Sequence, residues 1–249
     1  MLGRPVLNRL RAYYKPILQR YINLSAPISS TTNGNKNEIY KSINSVVHAP
    51  DAVTSQTNYD KWAKTYDGDL DVVASVPALK AIESFSKHTQ HMKVESVLDV
   101  GAGTGRVGHH LRNDAKYEGV IDIMDANMEM LYLASKKNLN FRNIIRHWVE
   151  GELPVRDESY DVMMCVGSFI PNHIPFTALP ILSKCVRKEG LLIFTTRVQS
   201  TGSYKSEFDK LLAGMELNGA IQRLDITEFV HFEKSEEKVY SAVYVYKKL

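Results

Sequence analysis

The 249-residue sequence contains only two cysteines, Cys165 and Cys185, and both stand in apolar surroundings without the spacing of metal ligands. The sequence therefore gives little support for a disulfide framework, and we expect two core thiols in a reducing compartment. No apolar run approaches the roughly 18–20 residues that a membrane-spanning helix needs. His109 and His110 are adjacent on a predicted helix and point in different directions, so we expect no metal site.

Acidic residues are absent from the first 37 residues, which hold six basic residues, four Arg and two Lys. The net charge of +3 therefore hides an asymmetry, because the rest of the chain carries 25 basic against 28 acidic residues. The part that is expected to fold is mildly acidic. Its net charge gives no strong indication of a surface for nucleic acid.

This basic segment has two interpretations. Residues 1–24 place apolar and basic side chains on different helical faces, although Pro5 and Pro16 argue against one uninterrupted helix, and residues 25–37 have the composition of a loop. An Arg-rich, acid-free amphipathic segment is typical of a mitochondrial transit peptide. The alternative is a disordered basic tail of a cytoplasmic protein. We assign residues 1–37 to a leader or tail, and the protein to the mitochondrial matrix or the cytoplasm, with the matrix preferred.

The hydrophobic periodicity changes near residue 93. Residues 38–92 are predicted to be helical, and from residue 93 short apolar runs alternate with amphipathic segments. This alternation predicts an α/β fold of the Rossmann-like, doubly wound kind, with a mostly parallel seven-stranded sheet and helices on both faces. The last strand must be antiparallel, because only the charged turn at 233–238 precedes it. Strands are expected at 94–100, 119–124, 143–149, 160–166, 191–196, 224–232 and 239–246, and one of the helices at 176–186.

A glycine-rich loop, GAGTG at residues 101–105, follows the first predicted strand and opens a helix. Glycine lets the backbone adopt positive φ and lie against a ligand. In an open α/β sheet such a loop lies at the carboxyl ends of the strands, where ligands bind. The dinucleotide fingerprint GxGxxG requires a small residue where Arg106 stands, and the P-loop pattern GxxxxGK[ST] does not occur.

The run DVGAGTG at residues 99–105 resembles the first motif of class I S-adenosylmethionine-dependent methyltransferases. The resemblance implies S-adenosylmethionine as the cofactor. The backbone of Gly101, Ala102, Gly103 and Gly105 would line its methionine portion. Asp99 would orient the loop or reach the amino group, directly or through water.

A second motif, DANMEML at residues 125–131, resembles the family's D-x-S-x-x-M-L. The resemblance implies that Asp125, with Ala126 beside it, binds the cofactor, and a carboxylate can accept hydrogen bonds from both ribose hydroxyls. Asp122 is the alternative, and otherwise is expected to be a solvated strand residue. A third motif, WVEGELP at 148–154, is weaker: Val149 stands where relatives have an acid, so Val149 or Glu150 would contact the adenine.

A further constellation resembles the methyltransferase-like family named from the Williams–Beuren syndrome region over residues 57–200. Its parts are YDKWAKTYD at 59–67, CVGSF at 165–169, HIP at 173–175, ALP at 178–180 and LLIFTTR at 191–197.

In this resemblance Val166 contacts the cofactor, and the loop that follows it faces the methyl group. The substrate-side candidates are then Ser168, Pro171, Asn172 and His173. His173 is the candidate general base, although a histidine here could equally stabilise a turn. Tyr66, with Tyr59 and Trp62, would either close over the cofactor or pack an N-terminal helix onto the sheet.

The sequence thus predicts an S-adenosylmethionine-dependent methyltransferase that acts by direct displacement on an unidentified small-molecule or protein acceptor. The alternative is a non-catalytic, cofactor-binding assembly or scaffolding protein. A nicotinamide-dependent oxidoreductase is disfavoured by Arg106 and by the lack of a substrate domain.

Overall fold

Four helices precede the first strand of the computed structural model, which describes residues 32–198 and 203–249. The second helix begins where the Asp51 side chain accepts a hydrogen bond from the Thr54 N–H, and the fourth begins with Pro77 in its first turn, two ordinary helix starts. The hypotheses on residues 1–31 lie outside the described residues. The helices are α1 (Thr32–Val47), α2 (Ala52–Trp62), α3 (Tyr66–Val72) and α4 (Pro77–His88).

The expected loop at 25–37 is wrong in its last part, because α1 already begins at Thr32. The polar run before Glu38 favours caps and turns by composition. The apolar spacing that marks this helix starts only at Ile39, which is buried together with Ile43 and Val46.

Strands and helices then alternate along the rest of the chain. The strands are β1 (Ser96–Val100), β2 (Val120–Asp125), β3 (Phe141–Arg146), β4 (Tyr160–Cys165), β5 (Val186–Arg197), β6 (Ile221–Val230) and β7 (Tyr240–Lys248). The helices between them are α5 (Arg106–Asn113), α6 (Met128–Ser135), α7 (Leu179–Lys184), which follows a 3₁₀ turn at Phe176–Ala178, and α8 (Tyr204–Leu217).

All seven strands form one sheet in the order β3-β2-β1-β4-β5-β7-β6. β1 to β5 pair in parallel, and β7 lies antiparallel between β5 and β6. The predicted fold class is therefore confirmed, including the antiparallel last strand. The carboxyl ends of β1, β2, β4 and β5 meet at one edge, which is the edge where such folds bind ligands.

Successive residues of the central strands face opposite layers, as the period of two requires. On one face Val97, Ile121 and Ile193 pack with α4, α5 and α6. On the other, Leu98 and Phe194 pack with α7 and α8. Helices thus cover both faces of the sheet.

Several predicted boundaries are wrong, among them the start of β6, which lies at Ile221 rather than at residue 224. β3 ends at Arg146 rather than at residue 149, because it is an edge strand whose mostly exposed side chains give little apolar pattern. β5 begins at Val186, five residues before the predicted start, which shortens the preceding helix. That helix, expected at 176–186, is a 3₁₀ turn followed by the short helix α7.

Both cysteines are free and buried, as expected of core thiols. Within the described part of the chain, no helix is long and apolar enough to cross a membrane. The same residues contain no group of three His, Cys, Asp or Glu that could hold a metal ion.

Candidate active site

The glycine loop makes the tight turn from β1 to α5. Gly101, Gly103 and Gly105 have φ values of +70°, +54° and +80°, which glycine adopts readily. A Cβ on Gly101 would lie 2.2 Å from Ser168 Oγ, whereas a Cβ on Gly103 would meet no atom within 4 Å. Gly101 is thus needed for close packing, and Gly103 leaves open space in the pocket that it lines.

Asp125, the last residue of β2, holds this loop in place. One carboxylate oxygen accepts from the Gly103 N–H and the other from the Asn127 N–H, both at 2.8 Å. Burial raises the pKa of Asp125, while these two hydrogen bonds act in the opposite direction. Each oxygen keeps a further lone pair, so the carboxylate can still accept hydrogen bonds from a ligand in the pocket.

Asp122, the alternative to Asp125, points to the other face of the sheet. It is fully buried and bonded to Arg142, Asn143 and the Tyr160 hydroxyl, the last at 2.6 Å. The expectation of a solvated strand residue is therefore wrong. Asp122 links three strands and does not line the pocket.

Asp99 is a fully buried carboxyl group on β1, and no described residue donates a hydrogen bond to either of its oxygens. Burial, reinforced by the charge of Asp125, raises the pKa of Asp99 to about 8. A buried carboxylate normally has a donor or a cation as its partner. Asp99 lies behind the pocket wall rather than in it.

The segment after β3 forms one end of the pocket with four consecutive residues, His147, Trp148, Val149 and Glu150. Val149 is buried and Glu150 is exposed. His147 was not predicted: its Nε2 is buried without a hydrogen-bond partner among the described residues. A histidine that directly follows a strand is a candidate for a site residue. His147 was missed because the predicted β3 ran past it.

Three aromatic side chains from α2 and α3 cover the pocket. The rings of Trp62 and Tyr66 lie 4.7 Å apart, and Tyr59 contacts both. All three line the pocket and also pack against one another. Burial raises the pKa of Tyr66 to about 12, so its hydroxyl stays protonated. The geometry is compatible with both predicted roles, a cover and a packing unit.

Polar contacts tie these helices to the sheet edge. Thr104, in the glycine loop, donates to the Asp67 carboxylate at 2.7 Å, and Lys137 pairs with the same carboxylate. Asn127, the N-cap of α6, donates to Asp60 at 2.8 Å. The cover is therefore fixed to the two segments that form the cofactor end of the pocket.

His173 lies opposite the glycine loop, in the segment after β4. Its Nδ1 lies 3.0 Å from the Pro171 carbonyl oxygen, which can only accept, so Nδ1 carries the proton. Its Nε2 therefore accepts from the Tyr59 hydroxyl at 2.9 Å. Burial lowers the pKa of His173, so the ring is neutral near pH 7.

The other substrate-side candidates divide into two groups. Ser168 lines the pocket beside Gly101. Asn172 donates to the Ala49 carbonyl at 2.6 Å and, like Pro171, is outside the pocket lining. Asn172 thus connects the loop to the N-terminal helices.

The far end of the pocket is formed by residues that the sequence did not single out as a site. They are Arg197 at the end of β5, His231 just after β6 and Ser241 near the start of β7. They meet because β7 lies between β5 and β6. No local motif connects these three positions.

Most of the predicted site residues meet in this one pocket. The exceptions are Asp99, which lies behind it, and Gly105, which packs against Phe141 and Ala134 where α5 begins. Those that line it are Tyr66, Gly101, Ala102, Gly103, Asp125, Ala126, Glu150, Val166 and His173.

This sheet order with a pocket at the ends of its parallel strands is that of a class I methyltransferase. Residues 97–190 match the family model described as a methyltransferase domain. A TehB-like SAM-dependent methyltransferase from Corynebacterium glutamicum has a similar fold, with a TM-score of 0.54 and 14% identity over 75% of this chain and 98% of that one.

Two curated proteins are similar in sequence. Human methyltransferase-like protein 27 is 26% identical over 172 residues, which are 68% of this chain and 69% of that protein. A demethylmenaquinone methyltransferase of Tropheryma whipplei is 27% identical over 124 residues, about half of each chain (50% and 51%). The chain is identified as a class I S-adenosylmethionine-dependent methyltransferase.

The residues present fit this cofactor. The buried carboxyl group of Asp99 has no partner among the described residues, and a nearby ammonium group, directly or through water, would favour its ionised form and so gain a counter-charge. Gly103 leaves open the space beside the loop. Asp125 retains acceptor capacity for a ribose.

Proposed function

We propose that this methyltransferase transfers the methyl group directly to an acceptor that enters the pocket at the end formed by β5, β6 and β7. The observation that carries the proposal is the continuity of the pocket. It runs from Asp125 and the glycine loop, past His173, to Arg197. Both reactants can therefore lie in one cavity, which is the first requirement of an in-line displacement.

The cofactor end is assigned to the glycine loop and to the segments after β2 and β3. Asp125 would accept hydrogen bonds from the ribose hydroxyls, and His147 to Glu150 would border the adenine. Asp99 would balance the amino group. α2 and α3, within residues 38–92, would cover the bound cofactor with Tyr59, Trp62 and Tyr66.

S-adenosylmethionine supplies an electrophilic methyl group on a sulfonium, so the chain mainly has to align the acceptor and exclude water. A base is needed only for an acceptor atom that arrives protonated. Tyr59 and His173 can then act together. The Tyr59 oxygen takes the acceptor's proton while its own proton moves to His173 Nε2, along the existing 2.9 Å hydrogen bond.

Calorimetric titration of the full chain with S-adenosylmethionine tests the proposal, with Asp125→Ala as the variant and NAD as competitor. We expect saturable binding that the substitution weakens and that NAD does not affect. A folded chain that binds no S-adenosylmethionine would overturn the proposal.

A further inference from the structure

One wall of the acceptor end is apolar. It is formed by Ile43, Val46 and Val47 of α1 and by Phe232, which follows the end of β6, and all four residues line the pocket. Ile43, Val46 and Phe232 are buried in one packed cluster, against which Val47 lies partly buried. The ring of Phe232 also contacts that of His231, with centroids 4.3 Å apart. This apolar wall therefore borders the polar residues at the ends of the strands.

The polar side chains beside the apolar wall already have partners within the chain. Ser241 Oγ lies 2.8 Å from His231 Nδ1, and the Thr196 hydroxyl donates to the Phe169 carbonyl at 2.7 Å. Arg197 is not free either, because it has an interaction of its own within the chain. A charged group of an acceptor would therefore have to compete with these internal contacts while losing its own water.

The two histidines near this end are neutral near pH 7. Burial lowers the pKa of His231 to about 3, and the charge of Arg197 adds to this. Burial also lowers the pKa of His173, so neither ring offers a positive charge to an anionic acceptor. Among the described lining residues the acids are Asp125 and Glu150, which lie at the cofactor end. A cationic acceptor would therefore gain no carboxylate partner from them.

The helices that cover this end are held to the sheet on two sides. The Val76 N–H, between α3 and α4, donates to the His231 carbonyl at 3.1 Å. On the other side the Asn172 side chain, in the loop after β4, donates to the Ala49 carbonyl just after α1 at 2.6 Å. A pocket under a cover that is fixed in this way suits a small molecule better than a side chain presented by a folded protein.

We propose that the methyl acceptor is a small, uncharged and largely apolar molecule whose apolar part packs against the apolar wall of α1 and Phe232. This inference rests on the proposed function, because it assigns the acceptor end of the same pocket. Burial of apolar surface favours binding, whereas a buried charge without a full set of partners opposes it. The nucleophilic group of such an acceptor would face Tyr59 and His173, which also line the pocket.

Matched probes test this inference on the full chain by calorimetry, with and without saturating S-adenosylhomocysteine. The probes are para-propylphenol, para-hydroxyphenylacetate and tyramine, which share a phenol ring and have tails of similar size. The three tails are neutral, anionic and cationic, so the comparison isolates the effect of charge. We expect para-propylphenol to bind about tenfold or more tightly than either charged probe.

Two valines of the cover helices provide matched variants. Val47→Thr places a hydroxyl group in the apolar wall at nearly constant shape, so it should weaken the binding of para-propylphenol about threefold or more without weakening that of the charged probes. Val53→Thr makes the same change on α2, where the valine is 72% exposed, and should behave as the wild type. The melting temperature of each variant establishes that it is folded.

Three results would overturn the inference: a charged probe that binds as tightly as para-propylphenol, unchanged affinity in Val47→Thr, or no probe binding to a chain that binds S-adenosylhomocysteine. Failure of the proposed function looks different. In that case S-adenosylhomocysteine does not bind, while binding of para-propylphenol that is weakened by Val47→Thr is still measured in its absence.

Discussion

The carboxylate of Asp125 accepts a hydrogen bond from the backbone N–H of Gly103 at 2.8 Å, and so connects the end of β2 to the glycine loop after β1. Asp125→Asn keeps the size of the side chain but replaces one acceptor oxygen by a donor. We expect it to weaken S-adenosylhomocysteine binding about tenfold or more, as measured by calorimetry. Asp209→Asn, on the exposed side of α8, is the matched control, and equal affinity in the two variants would contradict the role of Asp125.

Two glycines of the same loop should respond differently to alanine. Gly103→Ala adds a methyl group to open pocket space, so it should mainly reduce cofactor affinity, with about 1–2 kcal/mol of backbone strain. Gly101→Ala places Cβ 2.2 Å from Ser168 Oγ, so it should lower stability even without cofactor. Urea denaturation and calorimetry on both variants measure the two effects. Gly103→Ala with wild-type affinity would show that the cofactor does not approach this residue.

The buried Asp99 predicts a pH dependence of stability. Burial raises its pKa from 3.8 to about 8 in the folded chain, so the folded state keeps a proton that the unfolded state releases. The stability that this retained proton contributes is fully present below about pH 4, and it is lost as the pH rises to about 8. Relative to Asp99→Asn, the wild type should lose about 1.4 kcal/mol per pH unit across this window. Urea titrations at several pH values measure the difference, and a constant difference would contradict the raised pKa.

Tyr59 and His173 should act as one unit in turnover. Tyr59→Phe and His173→Asn should each slow transfer to a protonated acceptor by about a hundredfold, while S-adenosylhomocysteine affinity changes little. The double variant should be no slower than the slower single variant. Because burial lowers the pKa of His173, its ring should stay neutral until the pH falls below the range in which an ordinary histidine is protonated. The wild-type rate should fall only below that range. Initial rates with a labelled methyl donor test this, and additive losses would contradict the relay.

The basic segment at residues 1–37 leads to a proposal on location. We propose that it directs import into the mitochondrial matrix, because it is amphipathic, rich in Arg and free of acid. The full chain with a fluorescent tag after residue 249 should then colocalise with mitochondria. Replacing Arg4, Arg9, Arg11 and Arg20 by Gln should leave it in the cytoplasm. A wild-type chain that stays in the cytoplasm would support the disordered-tail interpretation.

The cofactor end could be predicted from sequence because its parts are local. A strand, a glycine loop and a helix occupy residues 96–113, and the next strand ends on Asp125. Each feature depends on neighbours a few positions away, so periodicity and glycine spacing suffice to place it. The same reasoning failed at β3, where an edge strand gives little apolar pattern and the buried ring of His147 was missed.

The acceptor end could not be predicted in this way. Arg197, His231 and Ser241 come from three strands and are brought together by the order β5-β7-β6. That order is set by packing across the sheet rather than by any local sequence. Similarly, the hydrogen bond between Tyr59 and His173 joins residues 114 positions apart. The sequence around either residue does not predict that the other lies beside it.

The position of β7 has a consequence for synthesis on the ribosome. β7 lies between β5 and β6 although it follows both in sequence. Until residues 240–248 have left the exit tunnel, β5 therefore has only β4 as a neighbour and β6 has no neighbouring strand. The glycine loop and Asp125, by contrast, belong to β1 and β2, which emerge more than a hundred residues earlier. We therefore expect a nascent chain to gain the framework for its cofactor well before it can discriminate among acceptors.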